Sequence, residues 1–229
     1  MKQNIASLKK EIIEAGKRIY NRGYVASNDG NISARIDSER ILITPTGVSK
    51  GFMKPEDLII VDLNGKLLNG RMKQSSESNM HLRIYTDRPD VNSVCHAHPP
   101  YCTGFAVAGI PLDKMILPEV IIALGTIPIV EYGTTGTSEL YGMISNYVKD
   151  YDAFLLANHG ALTIGNSVIN AYHKMETIEH AAMIQFIATQ LGKVKELNKK
   201  QTDQLFELRP KFGIRKDIGL KQTTKSKRN

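Results

Sequence analysis

Val91-Asn92-Ser93-Val94-Cys95-His96-Ala97-His98 is a strand-length apolar run closed by two histidines one residue apart. A β-strand has a side-chain period of two, so both imidazoles project from one face, with Cys95 and Ala97 pointing the other way. Two neutral imidazoles on one face are half of a metal site. A third candidate is His159, which ends the run Ala153-Phe154-Leu155-Leu156-Ala157-Asn158 and is followed by Gly160, a residue that permits a tight turn beside a ligand. Glu77, in Gln74-Ser75-Ser76-Glu77, can supply a carboxylate. Three histidines with an acid match what a catalytic zinc or similar divalent ion requires. The chain therefore reads as a metal-dependent enzyme.

At 229 residues the chain can bury the core of one sizeable domain. No apolar run approaches the ~20 residues needed to span a bilayer, and the first residues lead into an amphipathic segment instead of a signal-peptide core. Two cysteines, Cys95 and Cys102, fit a reduced cytoplasmic protein and read as buried, inert thiols. The net charge of +7 suggests nucleic acid until it is located. Residues 193–229 carry 12 Lys or Arg against 4 Asp or Glu, whereas residues 1–192 carry 18 against 19. The domain, 1–192, is thus nearly neutral, and 193–229 is a basic C-terminal segment whose last residues are expected to be disordered. Without aromatic residues between the charges of that end, nucleic-acid binding is not expected.

Ile5, Leu8, Ile12, Ala15 and Ile19 recur at helical spacing and predict a first helix ending near Gly23. Short strands follow over Asn31–Ile36 and Arg40–Thr44, then a hairpin in which Asn64-Gly65 joins Leu58–Leu63 to Lys66–Leu68. Helices are predicted from Glu77 to Tyr85, from Tyr101 to Ala108, from Ser138 to Lys149 and from Val168 to Leu191. Between them lie the histidine strand, a strand pair around Ile121 and Ile127–Tyr132, and the two strands flanking His159. This mixture argues for a single α/β/α domain on a central, mostly antiparallel sheet.

The other histidines read differently. His173 and His180 share the long helix one heptad apart and read as packed or hydrogen-bonded face residues. His81, four residues after Glu77, suits a role behind the ligands. Three short loops, Asp29-Gly30-Asn31, Pro45-Thr46-Gly47 and Ser75-Ser76, are rich in Gly, hydroxyls and free backbone N–H groups. Such concavities bind anions, and Ser75-Ser76 gains from the helix N-terminus that follows. Together, around one glutamate, they read as a phosphate pocket.

The set Gly30-Asn31-Ile32-Ser33, Ile43-Thr44-Pro45-Thr46-Gly47, Ser75-Ser76-Glu77, His96-Ala97-His98 and Asn158-His159-Gly160 resembles the class II aldolase/adducin family, and within it the L-fuculose-phosphate aldolases. The resemblance runs in order from the first helix to about residue 190. It implies a cyclic tetramer with active sites at subunit borders. It also implies metal ligation by Glu77, His96, His98 and His159, with Zn²⁺ first and Co²⁺, Mn²⁺ or Fe²⁺ as alternatives. Phosphate contacts are implied at Gly30, Asn31, Thr46, Gly47, Ser75 and Ser76, with Glu77 as the catalytic acid or base. The implied reaction is cleavage of a ketose 1-phosphate, L-fuculose 1-phosphate or a related deoxy-ketose phosphate, to dihydroxyacetone phosphate and a small aldehyde.

Two departures stand out. The aldolases of this group carry a tyrosine after the histidine strand, and residues 103–131 contain none; Glu119 is the nearest polar candidate. A second tyrosine near the aldolase C-terminus is matched by Phe212, and Tyr101 and Tyr132 are the substitutes at hand. Alternatives within the family are a methylthioribulose-1-phosphate dehydratase, which shares the glutamate, and a sugar-phosphate 4-epimerase, which has Asp at the position of Glu77. A non-catalytic adducin-like assembly domain, which lacks the ligands, is the reading from another class.

Overall fold

The computed structural model describes residues 3–220. The expected disorder of the basic end falls on residues 221–229, outside the described residues.

Eight strands form one sheet: β1 (Asn31–Arg35), β2 (Arg40–Ile43), β3 (Ile59–Asp62), β4 (Leu67–Asn69), β5 (Ser93–Ala97), β6 (Ile129–Val130), β7 (Ala153–Leu156) and β8 (Gly160–Gly165). Their order is β4-β3-β2-β1-β5-β8-β7-β6, and every neighbouring pair is antiparallel except β6 with β7. The seven α-helices among the described residues are α1 (Ile5–Asn21), α2 (Ser78–Asp87), α3 (Pro100–Val107), α4 (Pro118–Ala123), α5 (Ser138–Val148), α6 (Val168–Leu191) and α7 (Lys199–Leu208). The domain is the expected α/β/α arrangement on a central, mostly antiparallel sheet.

Alternation along the strands sorts the core into two. Ile32, Ala34, Cys95, Ala97 and Ala161 face the layer that holds Ile12, Ala15 and Ile19 of α1 with Tyr172, Met175 and Ile178 of α6. Val94, Leu162, Ile164 and Phe154 face the layer of Met80, Ile84 and Tyr85 of α2 with Leu140 and Ile144 of α5. His96 has the parity of Val94, so the first ligand candidate projects toward α2. Each fully buried Ile or Phe in these layers contributes on the order of 1.5–3 kcal/mol, enough to hold the strand registers that set the site.

Local chemistry explains the element ends. The Asn4 side chain accepts hydrogen bonds from the N–H groups of Ala6 and Ser7 and caps α1. The chain leaves α1 through Gly23 at φ +70°. The segment around Ile121 corrects the sequence reading: it is helix α4, not a strand. Val120-Ile121-Ile122 carries β-branched side chains, but Pro118 and Glu119 occupy the first turn, where a fixed φ and a negative charge favour a helix. The partner strand shrinks to Ile129–Val130, with Ile127 held by an isolated bridge to Leu112.

Beyond α6 the chain folds back. Asn198 and Gln201 form a reciprocal capping box that starts α7. The fully buried Arg209 guanidinium then donates to the carbonyls of Ile121 and Ile218. No helix among the described residues is long and apolar enough to cross a membrane.

Candidate metal centre and active site

β5 delivers His96, and the residue just past its end, His98, extends from the same face. The turn between β7 and β8 delivers His159. Asn158 there takes φ +56°, the left-handed value that Asn tolerates. Gly160, expected to provide the turn, has a different task. A Cβ on it would lie 2.6 Å from the Ala97 carbonyl oxygen and 2.6 Å from the His98 ring, so its bareness lets β8 approach the histidine strand. α2 delivers Glu77 from its N-terminal end. That side chain makes no capping bond to the helix and turns toward the histidines instead.

The four groups converge. His96, His98 and His159 each offer a ring nitrogen, all within 4.8 Å of one another. Glu77 Oε1 lies 3.0 Å from His159 Nε2, and its Oε2 lies 3.6 Å from His96 Nε2. His96 Nδ1 is 2.9 Å from the Ala161 carbonyl, which can only accept, so the proton sits on Nδ1 and the Nε2 lone pair faces the centre. Asp29 stands 3.7 Å from His98 Nδ1 and favours the same tautomer there. The backbone N–H of His98 donates to the Tyr24 carbonyl at 2.9 Å.

Burial pushes His96 and His98 down from the ordinary imidazole value, which keeps both neutral near pH 7. For Glu77, burial alone would raise the pKa. The imidazoles of His96 and His159 and the hydrogen bonds from His159 and Asn31 outweigh it and hold the carboxyl below the usual range. Neutral lone pairs beside an ionised carboxylate are the donor set a divalent cation takes. His96 Nε2 and His98 Nε2 converge to 3.2 Å, so their lone pairs are aimed at one point. The arrangement fits a metal ion.

The three loops meet beside this cluster. Gly30, at φ +73°, rests against the His96 carbonyl, where a Cβ would lie 2.9 Å away. A bridge between Pro45 and Gln74, with the Thr46 N–H donating to the Lys73 carbonyl, brings Thr46-Gly47 to Ser75-Ser76. Gly47 has φ +75° and nothing within 4 Å of its would-be Cβ, so that corner is open. Ser75 Oγ accepts from the Glu77 N–H at 3.3 Å, and the Tyr141 hydroxyl donates to the Ser76 carbonyl at 2.8 Å. Asn31 is placed differently from the other loop residues: its Nδ2 donates to Glu77 Oε2 at 2.7 Å, so the side chain serves the carboxylate.

Several participants escaped the sequence reading. The buried Lys50 ammonium donates to the carbonyls of Asn28 at 2.9 Å and Val48 at 2.7 Å, tying the first two loops together with a cation, and burial lowers it to about 8. Buried Glu179 on α6 accepts from the N–H groups of Tyr101 and Cys102 at 3.0 and 2.8 Å, capping α3 just after the histidine strand. A lone Lys or Glu between apolar neighbours gives no periodic signal, so only the packing identifies these two. His173 and His180 are both exposed on the outer face of α6, and the His173 ring lies 5.7 Å from that of Tyr172. Glu119, Tyr132 and Phe212 are exposed as well, and Tyr101 packs its ring against Phe186. Cys95 and Cys102 are buried free thiols, and burial raises Cys95 to about 12.

With a mostly antiparallel sheet that gathers three histidines and a glutamate beside hydroxyl-rich loops, the architecture is that of a class II aldolase. Residues 10–186 match the sequence model of the Class II Aldolase and Adducin N-terminal domain, and the chain belongs to this family. It is similar to an L-fuculose phosphate aldolase of Methanococcus maripaludis, 39% identical over 181 residues that cover 79% of this chain and 97% of the relative. A 3-oxo-tetronate 4-phosphate decarboxylase of Haemophilus influenzae is 31% identical over 205 residues, covering 86% and 95%. A solved L-fuculose 1-phosphate aldolase superposes with a TM-score of 0.82 at 30% identity, covering 93% of this chain and 99% of that one.

Proposed function

We propose that this protein is a metal-dependent aldolase that cleaves a ketose 1-phosphate, L-fuculose 1-phosphate or a related deoxy-ketose phosphate, into dihydroxyacetone phosphate and a small aldehyde. The observation that carries this reading is the convergence of His96, His98, His159 and the Glu77 carboxylate beside the Ser75-Ser76 turn. The three imidazoles and Glu77 would hold one divalent ion, Zn²⁺ first, with Co²⁺, Mn²⁺ or Fe²⁺ compatible with the same donors. When bound, such an ion supplies Lewis-acid polarisation of the ketose carbonyl and stabilises negative charge on the three-carbon fragment.

The chain's own residues do the rest. Breaking the carbon–carbon bond leaves an electron pair on the carbon next to the carbonyl, and that carbon must gain a proton. Glu77 is the acid or base there, taking a proton in one direction and returning it in the other. Asn31 holds one of its oxygens, so the other keeps a fixed direction. Gly30, Thr46, Gly47, Ser75 and Ser76 would bind the phosphate through backbone N–H groups and hydroxyls, and so orient the reacting end.

One observation favours a second reading. Residues 103–131 hold no tyrosine to manage the proton on an aldehyde oxygen. Decarboxylation of a 3-oxo acid phosphate leaves the same electron pair but releases CO₂, which needs no such donor. A panel of ketose 1-phosphates assayed for dihydroxyacetone phosphate, with a 3-oxo-tetronate 4-phosphate assayed for CO₂, separates the two. Release of dihydroxyacetone phosphate from one ketose is the expected result, and CO₂ release alone would replace the aldolase reading.

Phosphate recognition has its own test. Each hydrogen bond to a charged group is worth about 1.5–3 kcal/mol, roughly tenfold to over a hundredfold in affinity. Ser76→Ala is therefore expected to raise KM for a phosphorylated ketose by about that factor while changing a nonphosphorylated one little. Equal losses for both would place the phosphate elsewhere.

A homotetramer in the cytoplasm completes the proposal. The exposed apolar side chains of Phe186, Ile187 and Leu191 near the end of α6 support a subunit interface there.

A further inference from the structure

Behind Glu77 lies a line of buried polar side chains, starting at Asn31 of the first loop, that the metal and phosphate roles proposed above leave unused. Asn31 Nδ2 is 2.7 Å from Glu77 Oε2, and Asn31 Oδ1 is 2.5 Å from His81 Nε2. His81 Nδ1 is 2.7 Å from Ser33 Oγ, which is 2.8 Å from the Tyr85 hydroxyl. Asn31 and Ser33 project from β1, and His81 and Tyr85 lie one helical turn apart on α2. The contacts arise because the i, i+2 pair on the strand faces the i, i+4 pair on the helix. All four residues are essentially closed to solvent.

The direction of every bond is fixed from the carboxylate end. An ionised carboxylate only accepts, so Asn31 must present its amide nitrogen to Glu77 and its oxygen to His81. His81 must then carry its proton on Nε2. Burial pushes His81 down to about 4, so the ring is neutral and its Nδ1 is a bare acceptor. That nitrogen takes the Ser33 hydroxyl proton, and Ser33 in turn accepts from Tyr85. Each group has one role left, and all the donors point toward Glu77.

An asparagine amide has two ends of nearly equal size, so packing alone cannot choose between them. If Asn31 turned over, its oxygen would face a Glu77 oxygen, and the carboxylate would lose a donor and gain a repulsion. We propose that His81 is a positioning residue for catalysis: its Nε2–H fixes the Asn31 amide so that nitrogen, not oxygen, holds Glu77 in its working direction. This rests on the reading of Glu77 as the acid or base at the metal centre. Ser33, backed by Tyr85, satisfies the Nδ1 side of the His81 ring and so completes the device.

The two amide substitutions at position 81 divide the ring between them. Glutamine reaches to about the place of Nε2 and can still donate to Asn31, whereas asparagine stops near the place of Nδ1 and can meet only Ser33. Groups that orient catalytic and metal-binding side chains typically matter by roughly 10–100-fold in activity or metal affinity. With L-fuculose 1-phosphate as substrate, His81→Asn is expected to lose roughly that factor in kcat with KM unchanged, and to weaken Zn²⁺ binding in a chelator competition. His81→Gln should recover most of both. Equal losses in the two variants, tracking a lowered melting temperature, would show that His81 only fills space and would overturn the proposal. Normal kcat and Zn²⁺ affinity in His81→Asn would overturn it too. Glu77→Gln measured alongside separates the two failures. If it is inactive while His81→Asn turns over normally, only the positioning role falls; if it is itself active, the acid–base reading falls and the positioning role with it.

Discussion

Glu77→Gln is expected to fold as the parent does and to lose about 10²–10⁴-fold in turnover, the usual contribution of a general acid or base. Glutamine keeps the shape of the side chain, and its carbonyl can still accept from Asn31 Nδ2, which now sits 2.7 Å from Glu77 Oε2. What it lacks is the proton-accepting oxygen that stands 3.0 Å from His159 Nε2. Three imidazoles remain, so part of the metal is expected to stay. The checks are turnover with the ketose phosphate that the panel identifies, metal content by elemental analysis and the melting temperature. Near-normal turnover with a normal melt would mean that another group handles the proton.

The residues that make this prediction possible were legible to very different degrees. His96 and His98 could be placed on one face because a strand has an integral period, and the structure puts both at the cluster. Glu77 was legible for a similar reason. Ser75-Ser76 before an amphipathic stretch marks a helix start, and the structure finds Glu77 at the N-cap of α2. Gly160 shows how the right residue can carry the wrong reason. The strained backbone is at Asn158, and Gly160 is bare because another strand passes 2.6 Å from its missing Cβ. Close approach between strands distant in sequence leaves no local mark.

The same limit explains the other gaps. β-branched Val120-Ile121-Ile122 favours a strand locally, and the helix is decided by Pro118, Glu119 and the packing of Leu124 into the core. The three loops proposed to bind phosphate carry no Lys or Arg within their motifs, yet buried Lys50 donates to the carbonyls of Asn28 and Val48, which flank the first two of them. His81 was recognisable as lying behind Glu77 from its spacing, since four residues make one helical turn. Its partners Asn31 and Ser33 come from a strand separated by 50 and 48 residues, and only the sheet register brings them there. The α7 capping box, Asn198 to Gln201, is a local helix-start signal set within a basic segment.

His96→Ala is expected to abolish both metal binding and activity. Of the three histidines, His96 is the most confined: fully buried, central in the sheet between Asn31 of β1 and Leu162 of β8, and fixed by the Ala161 carbonyl. Neither a shifted backbone nor a water-filled detour can replace its nitrogen. Truncating a buried ring also leaves a cavity, so loss of activity alone would not separate ligation from folding. His98→Ala serves as the companion, because that side chain is partly open to solvent and its removal spares the core. Both variants should bind less than one ion per chain by elemental analysis. In the parent, Zn²⁺ at a hundredfold excess over its Kd should add about 2.7 kcal/mol of stability through mass action. The same addition should leave the melting temperature of either variant unmoved. A full complement of metal in His96→Ala and His98→Ala, with the parent's stabilisation by Zn²⁺ retained, would remove the histidine cluster as the binding site and with it the chemistry assigned to Glu77.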